Sequence, residues 1–120
     1  MTPSAILELP PFDTGQYEGC EFNMAGGNAT LTIRLAELPA FAIEFRRVRW
    51  HRYTQLYNCP ALWVQQAYFR LVEVPPKEAL AQYVAADTSV AKPYSELHHY
   101  RIFLDETGCH EVFAEAARAL

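Results

Sequence analysis

The segment Arg46-Arg47-Val48-Arg49-Trp50-His51-Arg52-Tyr53 crowds four guanidinium groups, an imidazole and two aromatic rings into one short stretch. Read as a strand, it puts Arg46, Val48, Trp50 and Arg52 on one side and Arg47, Arg49, His51 and Tyr53 on the other. Guanidinium groups pair in a planar, bidentate way with carboxylates and phosphates, and Trp, Tyr and Arg dominate the energetics of protein interfaces. The chemistry expected of Arg46, Arg47, Arg49, Trp50, Arg52 and Tyr53 is therefore recognition of an acidic protein surface. Basic residues interleaved with aromatics also suit nucleic acid, through phosphate neutralisation and base stacking. A chain of formal net charge −4 repels phosphates everywhere outside the patch, so nucleic acid is the lesser expectation. The plainer alternative is that these arginines pair across a sheet with some of the chain's own fourteen acids.

His98, His99, Cys109 and His110 fall on the two arms of a predicted hairpin. They suggest a metal-dependent or cysteine-dependent enzyme as an alternative. A metal site needs three or four converging ligands, and adjacent His98 and His99 point to opposite faces, so only one of them can join a cluster. A nucleophilic pair would join Cys20, Cys59 or Cys109 to a histidine, but no local signature marks one, and free cysteine is commonly a small core residue. Asp105, Glu106 and Glu111 flank a turn, where carboxylates are usually solvated rather than paired for acid–base work. Gly26-Gly27 lacks the spacing and the Lys-Ser/Thr ending of a phosphate loop. The expectation is a protein with no catalytic residue, no metal and no cofactor.

The elements that must carry these residues are mostly strands. Residues 5–9 form a short apolar stretch stopped by Pro10-Pro11, and Asp13-Thr14-Gly15 supplies a turn. Cys20, Phe22 and Met24 share one face of a strand over 17–24, although Glu18 and Glu21 blur the pattern. Residues 29–35 alternate cleanly, with Ala29, Leu31, Ile33 and Leu35 opposite Thr30, Thr32 and Arg34. With Gly26-Gly27-Asn28 between them, the two segments read as a hairpin. Phe41, Ile43 and Phe45 alternate next, and the apolar phase then slips to Val48 and Trp50. A β-bulge near Arg46-Arg47 inside one long strand over 41–53 accounts for the slip.

Asn58-Cys59-Pro60 reads as a helix start, with Asn58 or Cys59 near the cap and Pro60 in the first turn. A short helix to about residue 66 and a strand over 67–74 follow; one longer helix is the alternative. Residues 77–86 carry a helical stripe of Ala79, Leu80, Tyr83 and Val84, and 88–94 read as a loop. A hairpin over 97–104 and 109–115 turns at Asp105-Glu106-Thr107-Gly108, and 116–120 either extend it or fray as a helical tail. The order predicts an α+β fold: a mostly antiparallel sheet of five to six strands with one or two helices packed on one face.

Composition sets the outer limits. The 120 residues, half of them hydrophobic and a fifth charged, make one globular domain. No apolar run reaches the roughly 20 residues of a membrane helix. The N-terminus lacks a basic start followed by an apolar stretch, so no secretory signal is expected. Three cysteines cannot all pair within the chain, which fits reduced thiols in a cytoplasm. Charge is segregated: residues 45–70 carry five arginines and no acid, while 1–44 carry six acids and one base.

Residues 67–74, Ala-Tyr-Phe-Arg-Leu-Val-Glu-Val, and 98–115, His-His-Tyr-Arg-Ile-Phe-Leu-Asp-Glu-Thr-Gly-Cys-His-Glu-Val-Phe-Ala-Glu, form a strand–turn–strand pattern. Over about the C-terminal half, the chain resembles small single-domain bacterial proteins of unassigned function, among which immunity proteins of toxin–immunity pairs are frequent. The resemblance implies a cytoplasmic protein that acts by binding, and it carries over no functional residue. Together with the arginine segment it points to an immunity-type inhibitor that occludes a cognate toxin. A structural homodimer, formed by the strand edge at 41–53 pairing with its copy, is the non-catalytic alternative.

Overall fold

In a computed structural model, residues 3–75, Ala81, Ala85 and residues 97–120 are described. The helix expected over 77–86 lies outside them, apart from Ala81 and Ala85, as does the loop over 88–94.

Among the described residues, nine strands form two antiparallel sheets: β1 (Ser4–Glu8), β2 (Tyr17–Ala25), β3 (Asn28–Leu35), β4 (Phe41–Arg46), β5 (Trp50–Gln55), β6 (Arg70–Glu73), β7 (His98–Leu104), β8 (Gly108–Ala114) and β9 (Ala116–Ala119). The helix α1 spans Ala61–Ala67. The class is α+β and the sheets are antiparallel as expected, but the nine strands exceed the five to six of the sequence reading and divide between two sheets. The first sheet runs β1-β6-β7-β8-β5 and the second β2-β3-β4-β9.

The hairpin of β2 and β3 pairs Cys20 with Ile33 and Phe22 with Leu31, so the clean alternation of β3 drives its apolar face inward. Leu31 and Ile33 of β3 and Ile43 and Phe45 of β4 are fully buried. They meet Tyr100, Ile102 and Leu104 of β7 and Val112 and Ala114 of β8 in one core between the sheets. The opposite face of the first sheet is covered in part by α1: Ala67 packs with Val72, Phe103 and Cys109, and Trp63 and Val64 flank them. The result is three layers, with the first sheet in the middle. No described helix is long and apolar enough to cross a membrane.

Three local expectations change. The single strand over 41–53 is two strands: β4 ends at Arg46 in the second sheet and β5 begins at Trp50 in the first. The phase slip marks a change of sheet, because residues 47–49 turn the chain through Arg47 at φ 54. Residues 116–120 are neither an extension of β8 nor a helical tail. They cross back to the second sheet as β9, which pairs Ala117 with Phe45 and Arg118 with Glu44. At the helix start, 56–58 form a 3-10 turn, and the cap of α1 is Pro60, not Asn58 or Cys59.

Candidate functional site

The two crossings between sheets stand side by side. The chain leaves the second sheet at Arg46 and returns to it at Ala116, and the Glu115 amide donates to the Arg46 carbonyl at 2.9 Å. Strands that switch sheets make the corners of such packings. This corner divides the arginine segment into three groups with different surroundings.

Arg46 and Arg47 lie at the corner itself. In a regular strand they would face opposite ways, but the left-handed conformation of Arg47 turns both toward one cleft, lined also by Asn28, Glu115 and Ala116. Their side chains are 56% and 77% exposed. Arg46 Nε lies 3.7 Å from Glu44 and Arg47 Nε 3.9 Å from Glu115, both beyond hydrogen-bond distance. Glu44 instead accepts from Arg118 Nε at 2.8 Å.

Trp50 and Arg52 face α1's side of the first sheet, because they pair in register with Phe113 and Glu111. Arg49 stacks its guanidinium over the Trp50 ring, 5.6 Å from the centroid. Arg52 is engaged internally: its Nε and Nη2 both donate to Glu111 Oε1, at 2.9 and 2.6 Å. On the other face of β5, His51 and Tyr53 line the mouth between the sheets. The Tyr53 hydroxyl donates to the Thr107 carbonyl at 2.6 Å, while its ring stays 47% exposed. β5 pairs only with β8 among the described strands and forms an edge of the first sheet.

Glu111 anchors a buried polar network that the sequence reading assigned to a solvated turn. Its carboxylate is fully buried and accepts from Arg52, from His99 Nε2 at 2.6 Å and from Arg101 Nη2 at 3.1 Å. Burial alone would raise its pKa. The hydrogen bonds from His99 and Arg52 and the charge of Arg101 outweigh that and hold the carboxyl at about 2. Trp63 of α1 lies over the Arg101 guanidinium at 3.9 Å, a cation–π contact that seals the network from above. Arg101 Nε is buried without a hydrogen-bond partner. The available signal was the opposite charge of Arg101 and Glu111 on the two arms of the predicted hairpin; complementary charges on adjacent strands can close on one another instead of facing water.

His98, Cys109 and His110, the residues of the enzymatic alternative, are not brought together. His98 bonds to Glu73 at 2.8 Å, at the far end of the hairpin from His110. Cys109 is fully buried on α1's side of the sheet, where burial pushes its thiol pKa up. His110 points the other way, into the mouth between the sheets. Its Nδ1 is 3.0 Å from His51 Nε2, and its Nε2 is 3.7 Å from Cys20 Sγ. Phe22 stacks on His51 at 3.8 Å. Burial, and then the neighbouring His51, push the His110 pKa down to about 4; burial also lowers His51 and raises the Cys20 thiol. At neutral pH the chain Cys20–His110–His51 is therefore uncharged, with a protonated thiol instead of a nucleophilic thiolate. All three cysteines are free. Among the described residues, no group of three or more His, Cys, Asp or Glu side chains is arranged to hold a metal ion.

Compared with protein-family models, curated proteins and solved structures, the chain finds no match in any of the three.

Proposed function

We propose that this chain is a cytoplasmic binding protein that occludes an acidic protein partner, an immunity-type inhibitor acting by steric blockade and making or breaking no bond. The observation that carries this reading is the exposed corner and edge formed by Arg46, Arg47 and Tyr53. Among the described residues, two guanidinium groups there have no carboxylate within hydrogen-bond distance, and farther along, the edge strand β5 exposes the ring of Tyr53. Arg49 and Trp50 continue the surface onto the outer face, and Arg52, tied to Glu111, fixes β5 in place beneath it. Tyr57, 86% exposed just beyond β5, extends the aromatic character. Aromatic rings flanked by arginines supply both the anchor and the steering charge that interfaces of this kind use.

The homodimer reading draws on the same strand, since β5 lies at the edge of the first sheet among the described strands and an edge strand is a template for a second copy. Two measurements separate the readings. Affinity capture from the native host should recover one stoichiometric partner, lost on Tyr53→Ala; recovery of no partner contradicts the proposal. Sedimentation of the purified chain should show a monomer, whereas a concentration-dependent dimer abolished by Tyr53→Ala assigns the edge to self-association.

A further inference from the structure

The corner cleft has a more specific chemistry than a positive patch. Arg46 and Arg47 are consecutive, yet both line it, with Asn28 on the neighbouring strand β3 and Glu115 between β8 and β9. Neither guanidinium makes a hydrogen bond to a described residue, and the nearest described carboxylates lie 3.7 and 3.9 Å from Nε. Glu44 is already held by Arg118 at 2.8 Å, which leaves Arg46 the weaker of its two partners. Three arginines therefore share two carboxylates around the corner, a local excess of positive charge.

The backbone that presents these groups is held in place. Arg47 takes a left-handed conformation, φ 54, which a non-glycine residue adopts only when its surroundings impose it. Three hydrogen bonds do so: Arg47 N–H to Asn28 Oδ1 at 3.0 Å, Val48 N–H to the Gly27 carbonyl at 2.7 Å, and Glu115 N–H to the Arg46 carbonyl at 2.9 Å. Because Asn28 Oδ1 is engaged, the donor that Asn28 can still offer the cleft is its amide nitrogen. A fixed backbone carrying two forked guanidinium groups and an amide donor is preorganised for a planar oxyanion.

We propose that this cleft is a carboxylate-binding site, and that its ligand is an acidic side chain or acidic segment of a protein. This deepens the binding role proposed above and rests on it for the identity of the partner, though the cleft's chemistry can be tested alone. Glu115 in the cleft lining, with Glu44 3.7 Å from Arg46 Nε, selects against a phosphate dianion, which meets more repulsion there than a singly charged carboxylate does. The chain's net charge of −4 acts in the same direction against nucleic acid.

The test is a titration of the isotopically labelled chain with a capped oligoglutamate peptide, followed by the amide and Arg Nε–H resonances. The expected result is a saturable shift confined to Asn28, Arg46, Arg47, Glu115 and their neighbours. Arg47→Gly is the informative variant, since glycine adopts the required φ without strain and removes the exposed side chain while keeping the backbone hydrogen bonds. It should keep the wild-type melting temperature while peptide affinity falls about tenfold, the loss expected of one charge-assisted pair. Arg46→Gln should weaken binding in the same direction. Inorganic phosphate and a single-stranded oligonucleotide should bind more weakly than the peptide. Affinity unchanged in both variants, shifts elsewhere on the surface, or tighter binding of phosphate or oligonucleotide each overturn the assignment. Failure here is distinguishable from failure of the occlusion reading. Partner capture lost on Tyr53→Ala but kept in Arg47→Gly retires the cleft alone; peptide binding without any captured partner retires occlusion and leaves the cleft.

Discussion

Acidification should remove stability in two separate steps, and His110 sets the first. The folded chain holds this imidazole neutral with a pKa of about 4, against an ordinary value of 6.5, because it is buried beside His51. The unfolded chain therefore binds the proton more readily than the folded one. The contribution of the neutral ring is complete above pH 6.5 and is lost as pH falls from there toward about 4. A depression of that size corresponds to about 3 kcal/mol, a large fraction of the roughly 5–15 kcal/mol that stabilises a typical domain. His51, also lowered by burial, titrates in the same direction and steepens the slope. Glu111 acts lower: its carboxyl, held at about 2 against 4.5, contributes stability above 4.5 that is lost between 4.5 and about 2. Urea unfolding at a series of pH values reads both steps. His110→Phe keeps a ring among Phe22, His51 and Tyr53 but has nothing to protonate, so its curve should be much flatter between 6.5 and about 4. A wild-type stability that does not fall across that window, or a His110→Phe slope equal to wild type, refutes the reasoning.

Glu111→Gln should cost about 3–5 kcal/mol in urea unfolding, because it removes the carboxylate charge that meets the buried Arg101 and hydrogen-bonds the half-buried Arg52. Gly108→Ala should cost about 3 kcal/mol or more. An added Cβ there would lie 2.2 Å from the Thr54 carbonyl oxygen, at a φ of 134 that L-residues avoid. Glu106, in the same turn at φ 66 but exposed, is the contrast. Glu106→Gly should leave stability within about 1 kcal/mol of wild type, on the stabilising side, by thermal melting.

The parts of the fold legible in the sequence are those decided by neighbours along the chain. The alternation of Ala29, Leu31, Ile33 and Leu35 needs only a buried face to become β3, and Gly26-Gly27 closes the expected hairpin with β2. The same holds for β7 and β8 around Asp105–Gly108, where Val112 and Ala114 face the core and Glu111 and Phe113 face away. What the sequence hides is choice of partner. A phase slip at Arg46-Arg47 looks identical for a bulge and for a change of sheet, and only pairing with β9 and β8 decides between them. β9 is Ala-Ala-Arg-Ala, with no β-branched or aromatic residue, and it is a strand because β4 offers it an edge. The alternation of β5 does place Trp50 and Arg52 opposite His51 and Tyr53. It could not show that Glu111, far along the chain, would engage Arg52, or that Cys20 and His51 would meet at His110.

The account stands on recognition at the corner where the chain passes from β4 to β5. Hydrogen–deuterium exchange on the chain alone and with its captured partner tests that most directly. The outward-facing amides of the β5 edge should slow on binding, and the amides of Arg47, Val48 and Arg49, already hydrogen-bonded in the free chain, should gain further protection, with residues 26–28 and 115–116 slowing beside them. Protection confined to the opposite edge at β1, or to the separate cleft lined by Pro10, Phe12 and Tyr68, with residues 46–55 unchanged, would contradict it.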